Sequence, residues 1–415
     1  MSERQSSNLR QTHWLGMAGL SRNVGFAANK VFAANLLQVI LPAPFLIGLI
    51  LGLEGFFGLV LNPLTGYWSD RTRRPWLRRK VYVMVCLPIA AVAWWTFCSV
   101  HHVFFAVLAL AIFYAFEQSS LSPYQAWMPE ITPLEQRGIA SGYLNFWWQI
   151  GNLLSFLVIP ILWEMNHSVA YLLTGVLIAA GGLVTGLFVI ERPERVVREK
   201  PSLRSYRPLL FGNLRYFFLF QCLSWIAFEA IASFFTLFTV KDLHGTVLDS
   251  GLIMSVFTAV VVVVSLLSGA LYRRVSPKWL LVVAAIGFGI LVVLGYSVQT
   301  VPQAFLLVGV AGVFWSLNMT VSYAFVSDLL RRAVSDELAA NQLSGGLYGM
   351  SNLVQSVALL LAAPIVGAFI RLFGDDYRAM FATSAVASFA AALVILAVTV
   401  PRVSERVEEN IADVI

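Results

Sequence analysis

The chain has 415 residues, of which 59% are hydrophobic and 12% are charged, and its mean hydropathy is +0.77. Soluble domains are about a quarter charged, so this composition excludes a soluble globular protein and predicts a polytopic membrane protein. The apolar runs exceed the roughly 9–11 residues of a transmembrane β-strand, which predicts helices. The net charge of +6 would suggest an acidic partner in a soluble protein, whereas here it indicates basic loops beside a lipid bilayer.

Apolar runs follow one another along almost the whole chain. One crossing needs about 20 residues, and this criterion predicts twelve spans, near residues 22–42, 44–68, 80–99, 102–128, 139–162, 168–190, 212–239, 248–271, 278–298, 302–327, 339–370 and 378–400. Residues 1–14 are polar and lack the apolar segment of a cleavable signal peptide. Cys86, Cys98 and Cys222 lie inside apolar runs and are interpreted as reduced core residues.

Lysine and arginine residues are distributed unevenly between the two sides of the membrane. With the connections numbered alternately, the side of the N-terminus holds nearly all of them, and the other side holds only Lys241, Arg371 and Arg378. The positive-inside rule therefore predicts that both termini are cytoplasmic, in a multi-pass protein of the cell membrane.

The longest polar stretch, residues 191–208, follows the sixth span, and residues 191–211 are interpreted as a cytoplasmic linker. It separates two six-helix halves, residues 1–190 and 212–415. The segment "GYWSDRTRRPWL" after span 2 is echoed faintly by "GALYRRVSPKWL" after span 8. An all-α membrane protein of two pseudo-twofold-related halves is the layout of many secondary transporters.

Three features together resemble the major facilitator superfamily: the twelve spans, the central basic linker, and Gly66 followed by Asp70 and Arg71 after span 2. The segments "NPLTGYWSDRT", "WLRRK", "PYQAWMPEITP" and "QRG" also resemble the glycoside–pentoside–hexuronide cation symporters, the neighbourhood of the sucrose transporters. The resemblance implies the major facilitator fold and transport by alternating access.

The chain departs from that branch at its cation site. The carboxylates of melibiose permease-like members fall on Gly58 and Asn62 of span 2 and on Leu121 of span 4. A sodium site of that form is therefore not expected. Leu77 also replaces a glycine of the loop after span 2.

Ionisable residues at mid-depth suggest a coupling site instead. A charge at a helix centre costs about 2.5–3.5 kcal/mol on insertion scales and usually faces a cavity or a partner. Lys30, Glu54 and Glu117 in spans 1, 2 and 4 are the predicted coupling residues, with a proton or another monovalent cation as the coupling ion. The alternative is a static salt bridge that holds the three helices together.

Polar and aromatic stripes predict a central cavity for a small, polar substrate. Amides supply both donors and acceptors, and aromatic faces suit a sugar ring. The predicted substrate-binding residues are Trp148, Gln149, Asn152, Trp225, Glu229, Asn318, Asn341 and Asn352. The alternative is interhelical hydrogen bonding, worth about 0.6 kcal/mol per bond on average.

The basic cluster after span 2 is predicted to form a cytoplasmic gate of Gly66, Asp70, Arg71 and Arg74. In the superfamily that the chain resembles, the acid bonds to the start of span 11, here near Leu338 to Gln342, and closes the inner side. The alternative is a solvated loop that only sets topology.

The leading hypothesis is a proton-coupled symporter of a sugar or glycoside. An efflux antiporter of small organic molecules and a lipid or lysolipid transporter are the alternatives. No enzymatic motif, metal-spaced His/Cys set, cofactor motif or nucleic-acid signature is present, and the predicted state is a monomer.

Overall fold

The computed structural model describes residues 3–72, 74, 78–132, 136–190, 212–333 and 337–399, and every regular element in that part of the chain is helical. Six helical crossings precede residue 190 and six follow residue 212. The predicted linker, residues 191–211, lies outside the described residues.

The first half contains α1 to α6. Helix α1 runs over Glu3–Ala28, continues through a π-helical turn at Asn29–Ala33 and ends with Ala34–Ile40. Helix α5 has the same form, with Arg137–Leu153, a π-helical turn at Leu154–Val158, and Ile159–Met165. The other four are α2 (Pro44–Arg71), α3 (Lys80–Ser99), α4 (Val103–Ile131) and α6 (His167–Phe188).

The second half contains α7 to α12. Helix α7 runs over Asn213–Ala232, is interrupted at residues 233–234 and resumes over Phe235–Lys241. It is followed by α8 (Val247–Arg274), α9 (Pro277–Gly295), α10 (Val301–Ala333), α11 (Glu337–Leu372) and α12 (Ala379–Leu396). Among the described residues, α2 to α12 are each long and apolar enough to cross a membrane.

The start of the first span differs from its prediction. The span was expected to begin at residue 22, yet α1 begins at Glu3. Hydrogen bonds tie this longer helix to α6: the Thr185 hydroxyl donates to the Trp14 carbonyl at 2.7 Å, and the Ser21 hydroxyl donates to the Leu177 carbonyl at 2.7 Å. Hydropathy alone therefore underestimates the length of this helix.

The two halves meet through α2 with α11 and through α5 with α8, as a pseudo-twofold axis requires. We call the membrane side that carries residues 72–79 the arginine face and the other side the opposite face. A Cβ on Gly48 near the start of α2 would overlap the Ala363 carbonyl of α11, and one on Gly251 of α8 would overlap the Phe156 carbonyl of α5. These backbone contacts lie toward the opposite face.

The loops strengthen this closure. The Tyr377 hydroxyl, between α11 and α12, donates to Gln38 Oε1 near the end of α1 at 3.0 Å. The described conformation is therefore packed shut toward the opposite face.

Candidate substrate and ion-coupling site

The π-helical turn of α1 places Lys30 at the centre of the molecule. All five residues of the turn, Asn29–Ala33, are buried. A π turn carries one more residue than an α-helical turn and often occurs at functional sites. The Lys30 ammonium also lies 4.9 Å from the centroid of the Phe26 ring.

Two carboxylates share the Lys30 ammonium. Its Nζ lies 2.7 Å from Glu229 Oε2 of α7 and 3.3 Å from Glu54 Oε2 of α2. The side chain of Glu229 is 1% exposed, and its second oxygen, Oε1, has no partner in the described part of the chain. The Lys30–Glu229 pair thus joins the two halves.

Neutral groups support Glu54 from the other side. Asn29 Nδ2 donates to Glu54 Oε2 at 3.0 Å, and the Tyr114 hydroxyl donates to Asn29 Oδ1 at 2.8 Å. This chain of bonds fixes the carboxylate within the first half, so Glu54 and Lys30 form a unit to which Glu229 is added from the second half.

Glu117 has a different partner, Arg22 of α1. Arg22 Nη2 lies 2.5 Å from Glu117 Oε1, and its Nη1 donates to Ser120 Oγ at 2.5 Å and to the Glu117 carbonyl. Both charged side chains are less than a tenth exposed. The predicted trio is therefore divided, because Glu117 is paired inside the first half while Lys30 bonds Glu54 and Glu229.

Arg22 was not identified from the sequence, because the first span was expected to begin at that position. The absence of proline before Pro42 was the available signal, since nothing in the sequence stops the helix from extending back through Arg22.

The five buried charged residues at the centre of the molecule do not balance in charge. The two basic residues are Arg22 and Lys30, and the three acidic residues are Glu54, Glu117 and Glu229. Each of the five is less than a tenth exposed. With every group ionised the cluster carries a net charge of −1, and an uncompensated charge inside a membrane protein is costly. One bound proton neutralises the set, so the arrangement is chemically suited to exchange a single proton.

The predicted substrate residues form several short hydrogen-bonded groups. Trp148 Nε1 donates to the Tyr124 hydroxyl at 3.0 Å, and Asn152 Nδ2 donates to Gln149 Oε1 at 3.1 Å. Asn352 Nδ2 donates to Gln125 Oε1 at 2.5 Å, a bond between α11 and α4 and thus between the halves. The side chain of Asn341 lies outside the described residues.

The second half contributes an aromatic group beside Glu229. The rings of Trp225 and Trp315 meet edge to face with centroids 5.3 Å apart, and Phe228 stacks on Trp315 at 4.3 Å. Asn318, about one turn after Trp315 along α10, donates from its Nδ2 to Ser224 Oγ at 3.2 Å. Trp225, Glu229 and Asn318 are thus close together on α7 and α10.

The basic cluster on the arginine face is an ion-pair network within the first half. Asp70 accepts from Arg79 at 2.6 Å. Glu130 at the end of α4 binds Arg78 at 2.7 Å and Arg79 at 2.8 Å. Of the two predicted gate arginines, Arg71 stacks on the Tyr67 ring at 4.5 Å and Arg74 is exposed. The ion pairs are made instead by Arg78 and Arg79, which were not predicted.

Gly66 belongs to the same corner of the first half. A Cβ at this position would lie 3.3 Å from Ser122 Cβ of α4, so glycine permits a close approach of α2 to α4. The side chains at residues 338–342, where Asp70 was expected to bond, lie outside the described residues.

The described residues form twelve long helices in two halves around a charged, polar centre, which is the architecture of a membrane transporter. The Major Facilitator Superfamily model matches residues 15–335 and 217–413, and the chain belongs to this superfamily. No curated protein matches its sequence.

The fold of this chain is similar to the folds of solved superfamily transporters. A bacterial homolog of the human lysosomal transporter Spinster, inward-facing and unoccupied, matches with a TM-score of 0.72 and 14% identity, over 97% of this chain and 99% of that one. The nucleoside transporter NupG matches with a TM-score of 0.75 and 15% identity, over 94% of this chain and 100% of that one. At these identities the similarity establishes the fold alone.

Proposed function

We propose that the protein is a proton-coupled symporter that carries a small polar solute, a sugar or glycoside, by alternating access between its two halves. The observation that carries this proposal is the position of Lys30 between Glu54 and Glu229, two buried carboxylates from opposite halves. Coupling requires a site whose protonation changes a contact between the halves, and this pair has that property.

Protonation of Glu229 removes the charge that binds Lys30 across the halves. Glu54 remains as a partner for Lys30 within the first half, supported by Asn29. The proton therefore weakens a contact that exists only while the opposite face is closed, which shifts the equilibrium toward opening of that face. Return of Lys30 to a deprotonated Glu229 favours closure.

Glu117 is a charged neighbour of the proton-exchange site and does not itself exchange the proton. Arg22 already neutralises it, whereas Glu54 and Glu229 must share one lysine. The exchangeable proton is therefore assigned to the Glu54–Glu229 pair.

The positive-inside rule supports the direction of transport. If the arginine face is cytoplasmic, the described conformation is closed to the outside. A transient opening of the opposite face then admits the proton to Glu229, and protonation stabilises the open state. The amide and tryptophan side chains described above support a polar ring as the solute.

The experiment is solute-driven proton movement in proteoliposomes with a pH dye inside. Addition of a transported sugar or glycoside outside is expected to acidify the lumen. Glu229→Gln is expected to abolish the pH change while solute exchange continues, and Glu164→Gln, an exposed acid on α5, serves as the matched control. Unchanged acidification by Glu229→Gln would refute the assigned proton site.

One observation favours a second candidate, an antiporter or lipid transporter for solutes with an apolar part. A pocket beside Phe228 has only apolar lining residues, among them Met254, Phe257 and Phe381. The same assay separates the two, because proton antiport makes the lumen alkaline when solute enters.

A further inference from the structure

The π-helical turn of α1 directs two adjacent side chains at one carboxylate oxygen. Asn29 Nδ2 and Lys30 Nζ lie 3.0 Å and 3.3 Å from Glu54 Oε2. Adjacent residues of an α-helix point about 100° apart, whereas a π turn holds more residues, so its successive side chains diverge less. The π turn thereby gives Glu54 a neutral donor in addition to the ammonium that it shares with Glu229.

The Tyr114 hydroxyl fixes which end of the Asn29 amide faces Glu54. It donates to Asn29 Oδ1 at 2.8 Å, and Tyr114 is 1% exposed. This hydroxyl has no other acceptor within the described part of the chain. If the amide turned over, its Nδ2 would donate to Tyr114, and the buried hydroxyl proton would be left unpaired. The amide therefore presents a donor to Glu54.

The two carboxyls differ in how well their surroundings support a negative charge. Hydrogen bonds to an ionised acceptor are about twice as strong as neutral ones, and Glu54 Oε2 has two donors. Glu229 has one donor, Lys30 at 2.7 Å, and its Oε1 has no partner among the described residues. A buried polar atom without a partner costs most when it is charged. This difference favours a proton on Glu229.

The other titratable groups nearby do not choose between the two carboxyls. The charged and titratable groups that face them are Lys30 on α1, Tyr114 and Glu117 on α4, and Arg22 beside Glu117. Lys30 contacts both carboxyls, and Glu117 is neutralised by its arginine. Asn29 is therefore the described group that gives Glu54 a donor which Glu229 lacks.

We propose that Asn29 and Tyr114 are positioning residues that keep Glu54 ionised and so direct the exchangeable proton to Glu229. Hydronium delivers the proton and becomes water as an O–H bond forms at Glu229 Oε1, while Lys30 keeps its charge and its bond to Glu54. This inference rests on the proposed proton symport. It adds the reason why the proton weakens a contact between the halves and not one within the first half.

The choice of carboxyl decides whether proton binding is coupled to opening. A proton on Glu54 would leave Lys30 bonded to Glu229 across the halves, and the opposite face would stay closed. Loss of the Tyr114 hydroxyl frees the Asn29 amide to turn over and to accept a hydrogen bond from a protonated Glu54. One unsatisfied buried group changes an equilibrium about tenfold, so Tyr114→Phe is expected to turn a strong preference for Glu229 into an about equal distribution.

The first test is infrared spectroscopy of the purified full-length protein, which records the C=O band of a protonated carboxyl group during a pH titration. Replacement of a glutamate by aspartate keeps the charge and shifts the band of that residue. In the wild type, Glu229→Asp is expected to shift the band and Glu54→Asp to leave it unchanged. In the Tyr114→Phe background, Glu54→Asp is expected to shift about half of the band, which is the equal distribution given above.

The second test is acidification of the proteoliposome lumen per solute transported. Tyr114→Phe is expected to lower this ratio about twofold, because about half of the bound protons then sit on Glu54, while solute exchange continues. A merely structural role of Tyr114 would lower acidification and exchange together. Tyr171→Phe is the matched control, since it removes a hydroxyl from α6 whose ring packs on Trp163, with ring centroids 5.2 Å apart.

The inference is overturned if the C=O band is absent, if Glu54→Asp shifts it in the wild type, or if Tyr114→Phe responds like the wild type in both tests. If Tyr114→Phe does not fold, the comparison of Glu229→Asp with Glu54→Asp in the wild type still decides. Absence of solute-driven acidification in the wild type refutes the symporter, whereas the infrared assignment tests the position of the proton without transport.

Discussion

At the scale of single residues, α1 buries two basic side chains in unlike surroundings. Arg22 has one carboxylate, and Lys30 has two. Removal of one member of a buried ion pair leaves an uncompensated charge and costs about 3–5 kcal/mol, whereas replacement of both members is often close to neutral. We therefore expect variants of Arg22 and its partner to change mainly stability, and variants of Lys30 and its partners to change coupling.

Arg22→Ala is expected to lower the free energy of unfolding by about 3–5 kcal/mol, because Glu117 keeps its buried charge. The double variant Arg22→Ala/Glu117→Gln is expected to recover most of that loss. Tm in detergent, followed by size exclusion, is the measurement, and exposed Arg215→Ala is the control. Equal Tm in the single and double variants would contradict the pairing.

The sequence allowed the buried acids and Lys30 to be found, because charges inside apolar runs are conspicuous. It did not allow their pairing to be found, since hydropathy reports depth and not the direction of a side chain. Arg22 was missed because its helix is apolar only from that point onward. The bond between Lys30 and Glu229 joins residues 199 positions apart, which no local pattern reveals.

At the scale of helices, α2 and α11 pack backbone against backbone from the opposite face to mid-depth. A Cβ on Gly55 would overlap the Leu360 amide and the Ser356 carbonyl. Such contacts admit no side chain, so they exist only while the halves are closed at this face. Small residues that allow close helix approach are typical of helix interfaces in membranes.

Gly55→Leu is therefore expected to separate α2 from α11 and to favour opening of the opposite face. The readout is Ser356→Cys, buried in this interface, in a background without Cys86, Cys98 and Cys222. Its labelling rate by a membrane-impermeant maleimide is expected to rise at least tenfold. Gly142→Leu, where nothing lies within 4 Å of a Cβ, is the control, and equal labelling in both variants would contradict the prediction.

The helices themselves were largely predictable, because about 20 apolar residues must cross the bilayer whatever the fold. Eleven of the twelve predicted spans overlap helices that meet this criterion among the described residues. The π-helical turns of α1 and α5 were not predictable, since an inserted residue in a helix depends on the packing around it and not on local propensity.

At the scale of the whole molecule, the opposite face has its own ionisable cluster. Asp242 follows α7 and faces Asp376, Arg378, His244 and the backbone of Tyr377. Burial, and next the charge of Asp376, raise the pKa of Asp242 to about 6. The Tyr377 hydroxyl of the same turn holds Gln38 of the first half.

A carboxyl with a raised pKa destabilises the folded state when it ionises. The native state binds the proton more tightly than the unfolded state, so stability falls as pH rises from about 4 to about 6 and the loss is complete above that window. Asp242→Asn is expected to raise Tm by about 1–2 °C at pH 7.5 and to leave it unchanged at pH 4. An equal effect at both pH values would show that Asp242 does not titrate in this window.

The basic cluster on the arginine face acts at the same scale. Asp70 is 38% exposed and bonded to Arg79, which Glu130 and Ser69 also hold. Loss of the Asp70 charge therefore leaves Arg79 in place, and the local fold is expected to survive. Loss of the Asp70 charge is instead expected to destabilise the conformation in which the arginine face is closed.

The family resemblance predicts that in that conformation Asp70 lies against the start of α11. A carboxylate at an exposed helix N-terminus is stabilised by about 0.3–1 kcal/mol. Asp70→Asn is therefore expected to insert normally, to shift the population about two- to fivefold toward the state closed at the opposite face, and to slow transport. Labelling of Ser356→Cys should fall by the same factor, with Glu164→Gln as the control. If both labelling and transport match the wild type, Asp70 is no gate residue, and the arginines around it serve only to orient the chain in the membrane.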